Sequence, residues 1–307
     1  MRPPLSWLRY ILFSPHPHRL RTGWRLLGHF SALVLCINLF SLVTSLWLPS
    51  DTLTDIFSLP GQLITSAAIT LAVYGSRCWL DRRSFTSLGL GWDFHALRDL
   101  IFGIGLSGLL IGLIYLAEWA PGWLDVKGFA WQSQSSWQVW REMLVIFAIF
   151  VLVGWQEELL ARGYWLQNLA DGTNLFWGMI ISSGLFALAH LGNLNVSPMA
   201  MLGLFAAGLF MAYGYLRTQQ LWLPIGLHIG WNFFEGAVFG FRVSGLDTFR
   251  LIQQSVHGPE LLTGGRFGPE AGLIVLPALL LGAGLIWWYT RRLKQVVRDQ
   301  VTENQPS

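Results

Sequence analysis

The chain has 307 residues, of which 53% are apolar and only 12% are charged. A soluble domain carries roughly 25% charged residues, and 20 basic plus 17 acidic side chains cannot cover a water-exposed surface on a chain this long. That balance excludes a soluble enzyme, a nucleic-acid-binding protein and a disordered chain, and leaves a polytopic membrane protein.

A basic arm comes first, over residues 1–27. It holds five arginines and no acid, and its stretch Leu5–Phe13 is expected to lie flat on the membrane surface. No cleaved signal peptide is expected, because its apolar run would start earlier and be shorter. A membrane helix needs about 20 mainly apolar residues. Eight such stretches follow, at about 28–48, 61–79, 100–120, 141–166, 174–191, 199–216, 221–241 and 271–290. They group into N-terminal membrane helices (28–140), a helical core (141–241), an outer loop (242–270), and a last membrane helix with its tail (271–307). The fold class expected is all-α, a polytopic membrane helical bundle.

Tryptophans such as Trp24, Trp47, Trp79, Trp119, Trp140, Trp222, Trp287 and Trp288 mark the span ends as an aromatic belt. Small residues four apart, Gly108 with Gly112 and Ala278 with Gly282, suit close helix packing. With the N-terminus inside, 15 Lys and Arg fall on the inner side, from Arg2 to Arg298, and five on the outer side: Lys127, Arg141, Arg242, Arg250 and Arg266. The bias places both termini in the cytoplasm of a multi-pass protein, expected in a bacterial cell membrane. The polar tail after Arg291 is expected to fray. Cys36 and Cys78 lie in apolar segments and suggest no disulfide framework.

Most spans lack ionisable residues in the middle. Three do not. Span four carries Glu157-Glu158-Leu159-Leu160-Ala161-Arg162, span five ends Phe186-Ala187-Leu188-Ala189-His190, and span seven carries His228-Ile229-Gly230-Trp231-Asn232. A charged side chain at a membrane centre costs roughly 2.5–3.5 kcal/mol, so three amount to about 7–10 kcal/mol against a domain stability of ~5–15 kcal/mol. A helix ion pair between Glu158 and Arg162, at i and i+4, leaves Glu157 unexplained. Glu157 and His190 lie about 22 Å and 27 Å along two helices from the turn at Asp171-Gly172-Thr173, so they can share one depth. His228 lies only ~13 Å from the turn near Gln219. The four–five hairpin must therefore project beyond the membrane, or span seven must tilt.

A carboxylate in a low-dielectric pocket suits general-base chemistry near neutral pH. Glu157 is the candidate base for a water, with His190 positioning that water. His228 and Asn232, one turn apart on one face, are candidate donors to an oxyanion. Glu158 and Arg162 hold the helix and tune the base. Zinc is the other possibility, with Glu157, His190 and His228 as candidate ligands. The cofactor expectation is thus none or zinc.

Glu157-Glu158-x-x-x-Arg162, Phe186-x-x-x-His190 and His228-x-x-x-Asn232, in that order, resemble the three motifs of the CPBP family, the CAAX proteases and bacteriocin-processing membrane endopeptidases also called the Abi family. Leu221-Trp222-Leu223-Pro224-Ile225 adds to the likeness. The matched region runs from about Gly154 to Asn232. The resemblance implies a cavity among the motif helices and peptide-bond hydrolysis with Glu157 as base, His190 as its partner and His228 with Asn232 as the oxyanion pair. It implies a membrane-associated peptide or protein substrate and contact with membrane lipid, and no nucleic acid.

Two rival readings compete. Gly105-Leu106-Ser107-Gly108 matches the rhomboid serine motif and Ala189-His190-Leu191-Gly192 resembles its histidine motif, but the order of elements differs and Glu157, Glu158 and Arg162 stay idle. A transporter or non-proteolytic scaffold would use the same polar groups as a relay, though the sequence shows no internal repeat.

Overall fold

A computed structural model of the chain describes residues 11–14, 19–46 and 58–303, with side chains up to 291. The bundle is built from α1 (Thr22–Ser45), α2 (Leu59–Gly75), α3 (Phe94–Trp119), α4 (Ser136–Glu158), α5 (Leu166–Gly172), α6 (Leu175–Ala189), α7 (Pro198–Thr218), α8 (Trp222–Asn232), the short α9 (Glu260–Thr263) and α10 (Val275–Glu303). Five helical stretches are long and apolar enough to cross a membrane, Thr22–Ser45, Leu59–Leu80, Phe94–Trp119, Ser136–Gly172 and Pro198–Thr218, and Leu175–Ala189 and Val275–Arg291 are shorter apolar helices. The eight expected spans each coincide with a helix, with shifted ends. Residues 47–48 of the first, and most of the expected surface segment Leu5–Phe13, lie outside the described residues.

Polar caps set the helix starts. The side chains of Ser58, Asp93, Ser135, Asn174 and Ser197 each accept a hydrogen bond from a backbone N–H in the first turn of the helix that follows. Ser135 and Gln138 cap each other reciprocally. Large apolar side chains, such as Leu35, Leu42, Leu144 and Leu280, remain exposed, which a lipid-facing surface explains better than water does.

Glycines decide where α8 sits. A Cβ at Gly103 of α3 would lie 2.7 Å from both Leu223 O and Leu227 N, and one at Gly230 of α8 would lie 2.6 Å from Ile104 O. Backbone meets backbone at this crossing, so only glycine fits. Gly108 and Gly282 also pack tightly, against Phe234 and against Leu110 with Phe210. Ser107 donates a hydrogen bond to Leu227 O at 2.7 Å, pinning the same crossing.

Three features depart from the expectations. The chain is not helical throughout: β1 (Leu124–Phe129) pairs antiparallel with β2 (Ile252–Val256), drawn from the outer loop, with an irregularity between Val126 and Gly128. Leu124-Asp125-Val126-Lys127 alternates over only four residues, and Ile252-Gln253-Gln254-Ser255-Val256 does not alternate, so the pairing is not read from the sequence. Where the sequence suggests a frayed tail, α10 continues past Arg291 to Glu303. No glycine or proline interrupts residues 285–303, which are rich in good helix formers. Finally, α4 runs into a π-helical segment, Leu159–Trp165, and then α5. The 37-residue rod Ser136–Gly172 is about 55 Å long at 1.5 Å per residue, against a hydrocarbon core of ~30 Å. A stretch of this length exceeds the hydrocarbon core, as a hairpin projecting beyond the membrane requires.

Candidate active site

The six candidate residues converge. They come from α4 and its π-helical extension, the end of α6, and α8. A cavity of about 330 Å³ opens among these helices, and Glu157, His190, His228 and Asn232 line it together with Phe186, Asn193, Ser244 and Glu270. The rest of its wall is mainly apolar, with Gln62, Thr65 and Gln156 as a polar edge.

Glu158 and Arg162 are fully buried. Arg162 Nη1 donates to Glu158 Oε1 at 2.6 Å, and Nη2 donates to Gly208 O at 2.8 Å on α7. The guanidinium also lies over the Phe186 ring, 4.6 Å from its centroid. The same Glu158 Oε1 accepts from His228 Nδ1 at 2.8 Å. The ion pair expected within one helix is therefore a clamp on three helices. The π-helical turn that begins at Leu159 gives Arg162 room inside it, a frequent association of π turns with functional positions.

Both imidazoles are oriented through Nδ1. His190 terminates α6, where the last carbonyls lack helical partners, and its Nδ1 lies 2.9 Å from Phe186 O. A carbonyl only accepts, so His190 Nδ1 carries a proton, as does His228 Nδ1 facing Glu158. Each ring then turns Nε2 toward Glu157. Glu157 Oε2 lies 3.7 Å from His190 Nε2 and 3.8 Å from His228 Nε2, and it has no hydrogen-bond partner. These gaps are too long for direct hydrogen bonds and suit one bridging water. Asn232, buried on the same face of α8 as His228, lines the cavity beside them.

The zinc alternative was tested on this arrangement. Bonds of ~2.0–2.2 Å in a tetrahedral site bring ligand atoms to roughly 3.3–3.6 Å from one another, and the two separations here are wider. Among the described residues no group of three His, Cys, Asp or Glu side chains is placed to hold a metal ion. No step below runs through a metal.

Ser107, the serine of the rhomboid-like reading, is buried between α3 and α8 and its hydroxyl is committed to Leu227 O. It does not line the cavity.

Several site residues escaped sequence reasoning. Ser66 Oγ donates to Gln156 Oε1 at 2.8 Å, and Gln156 Nε2 donates to Gln62 Oε1 at 3.0 Å, a buried polar chain that ties α2 to the residue before Glu157. Gln156 precedes the Glu pair directly, so polarity inside an apolar span was its signal. Glu270, Ser244 and Asn193 gave no signal: they sit in loops and meet only in three dimensions.

Residues 138–234 match the sequence model of a family described as type II CAAX prenyl endopeptidase Rce1-like. This bears out the resemblance read from the three motifs, all of which fall inside the match. The chain is also 31% identical over 112 residues to "Putative membrane peptidase YdiL" of Bacillus subtilis (strain 168), an alignment covering 36% of this chain and 41% of that protein. The chain thus matches less than half the length of this relative. No solved structure matches it.

Proposed function

We propose that the chain is an intramembrane endopeptidase that hydrolyses a peptide bond in a membrane-associated peptide or protein, using a water activated by Glu157. The observation that carries this reading is the approach of one unpartnered carboxylate oxygen to two oriented imidazole nitrogens at a cavity among the helices. The Rce1-like match over residues 138–234 supports the same chemistry.

In this reading a water sits between Glu157 Oε2 and the Nε2 atoms of His190 and His228. Glu157 takes one proton from it while the water oxygen bonds to the scissile carbonyl carbon. The carbonyl oxygen becomes an oxyanion, stabilised by hydrogen bonds from His228 Nε2–H and the Asn232 amide. His228 has a carboxylate near each ring nitrogen and can therefore carry a proton on both. Glu157 then returns its proton to the leaving nitrogen, and the C–N bond breaks to give a carboxylic acid and an amine. Glu158 and Arg162 act as positioning residues, holding His228 and the turn after Glu157. Both termini are assigned to the cytoplasm on the arginine bias.

The test is cleavage of quenched-fluorescent peptides that span the bilayer, with purified protein in liposomes. Wild type is expected to cleave at least one sequence of such a set, and Glu157→Gln none. Undiminished cleavage by Glu157→Gln would overturn the glutamate mechanism. Biological activity retained by Glu157→Gln would favour a scaffold.

A further inference from the structure

The cavity holds a second carboxylate that the hydrolytic scheme does not use. Glu270 lies in the loop between α9 and α10, outside residues 138–234, yet it is 6% exposed and lines the cavity with Glu157 and both imidazoles. It is rigidly placed. Ser244 Oγ donates to its Oε2 at 2.5 Å, and Asn193, in the turn after His190, donates to Ser244 O at 2.9 Å. The Glu270 backbone carbonyl packs so closely on Gly203 of α7 that a Cβ there would collide with it.

Glu270 forms no ion pair among the described residues, and no lysine or arginine lines the cavity; the basic groups that act on it are the imidazoles of His190 and His228. Glu235 and Glu118 are also buried, with no hydrogen-bond partner on any of their four carboxyl oxygens. Burial pushes Glu270 above its ordinary value, against the hydrogen bond from Ser244 and the imidazoles of His190 and His228. A buried carboxylate without a counter-ion is costly, and Glu270, held by a neutral hydroxyl at the wall of a substrate-sized cavity, has no lysine or arginine of this chain beside it.

We propose that Glu270 is a specificity-determining residue that receives a positively charged side chain, arginine or lysine, of the substrate segment lying in the cavity. This rests on the endopeptidase reading for its substrate, but the cation subsite can be tested without catalysis. N-decylguanidinium and N-decylurea have nearly the same shape and differ in charge. Their affinities would be measured by calorimetry on the full chain carrying Glu157→Gln, in a non-ionic detergent. The guanidinium is expected to bind at least tenfold more tightly than the urea. Adding Glu270→Gln is expected to reduce that ratio below threefold, while adding Ser244→Ala, which keeps the carboxylate, preserves it. Equal affinities for the two probes before any change at Glu270 would overturn the proposal, whether or not Glu270→Gln folds. So would a ratio left intact by a folded Glu270→Gln. Wild-type hydrolysis of bilayer peptides with and without one arginine near the scissile bond separates the two claims: no cleavage of either, with the probe ratio intact, removes the peptidase reading and leaves the subsite.

Discussion

Glu158 and His228, 70 residues apart in sequence, meet at 2.8 Å between Oε1 and Nδ1, and that contact is what turns His228 Nε2 toward Glu157. The pair of adjacent glutamates thus divides the work. One side chain faces the cavity and the other is buried as the support of an imidazole and a guanidinium.

Loss of His190 is expected to remove catalysis without removing the fold. His190→Ala deletes a half-buried ring whose hydrogen bond among the described residues is to Phe186 O. Hydrolysis should drop by roughly 10²–10⁴-fold, while membrane insertion and the detergent melting temperature change little. An unaltered rate constant would remove His190 from the mechanism.

Breaking the clamp should behave differently. Glu158→Gln leaves the buried Arg162 guanidinium without its carboxylate, which costs about 3–5 kcal/mol for a buried pair. Thermal unfolding in detergent would read this. Combining Glu158→Gln with Arg162→Met removes both charges and is expected to recover most of the stability. It should not recover the rate, because His228 still lacks its partner. Full recovery of activity in the double variant would contradict a positioning role for Glu158.

Ser107→Ala is expected to leave hydrolysis within about twofold of wild type and to cost roughly 1 kcal/mol through the lost bond to Leu227 O. Cleavage abolished by this change alone, with the protein folded, would point to a serine nucleophile.

Adding a methyl group at the α3–α8 crossing should propagate to the site. In Gly103→Ala the new Cβ meets backbone atoms at 2.7 Å, and backbone cannot rotate away as a side chain can. Over-packing of this kind costs about 1–3 kcal/mol. It should also shift α8, and with it His228 and Asn232. A lowered melting temperature together with a lowered kcat is the expected result, and an unchanged pair of values would show that the crossing has slack.

Activity is expected to survive prolonged chelation, and elemental analysis of active protein should find less than stoichiometric zinc. The basis is the 3.7 and 3.8 Å spacing at Glu157 Oε2. Zinc at one per chain, lost in parallel with activity, would replace the general-base scheme.

The sequence by itself determined the membrane class, the helical architecture and the three motif segments. Each of these is local: a low share of charge, apolar runs of helix length, and polar residues at i, i+1, i+5 and i, i+4 spacings that stand out against such runs. It also placed Glu157, Glu158, Arg162, His190, His228 and Asn232 as candidates, because ionisable and other polar groups are costly in a span and therefore conspicuous. Tertiary structure alone decided how they are wired. Glu158 rather than Glu157 binds His228, Arg162 reaches Gly208, β1 finds β2, and Glu270 enters the cavity beside Ser244. Each of those contacts joins residues far apart in the chain, through packing distances set by glycines and by a π-helical turn. A loop glutamate looks ordinary in sequence, since water would solvate it there; only the fold reveals that it has been taken out of water without a counter-ion.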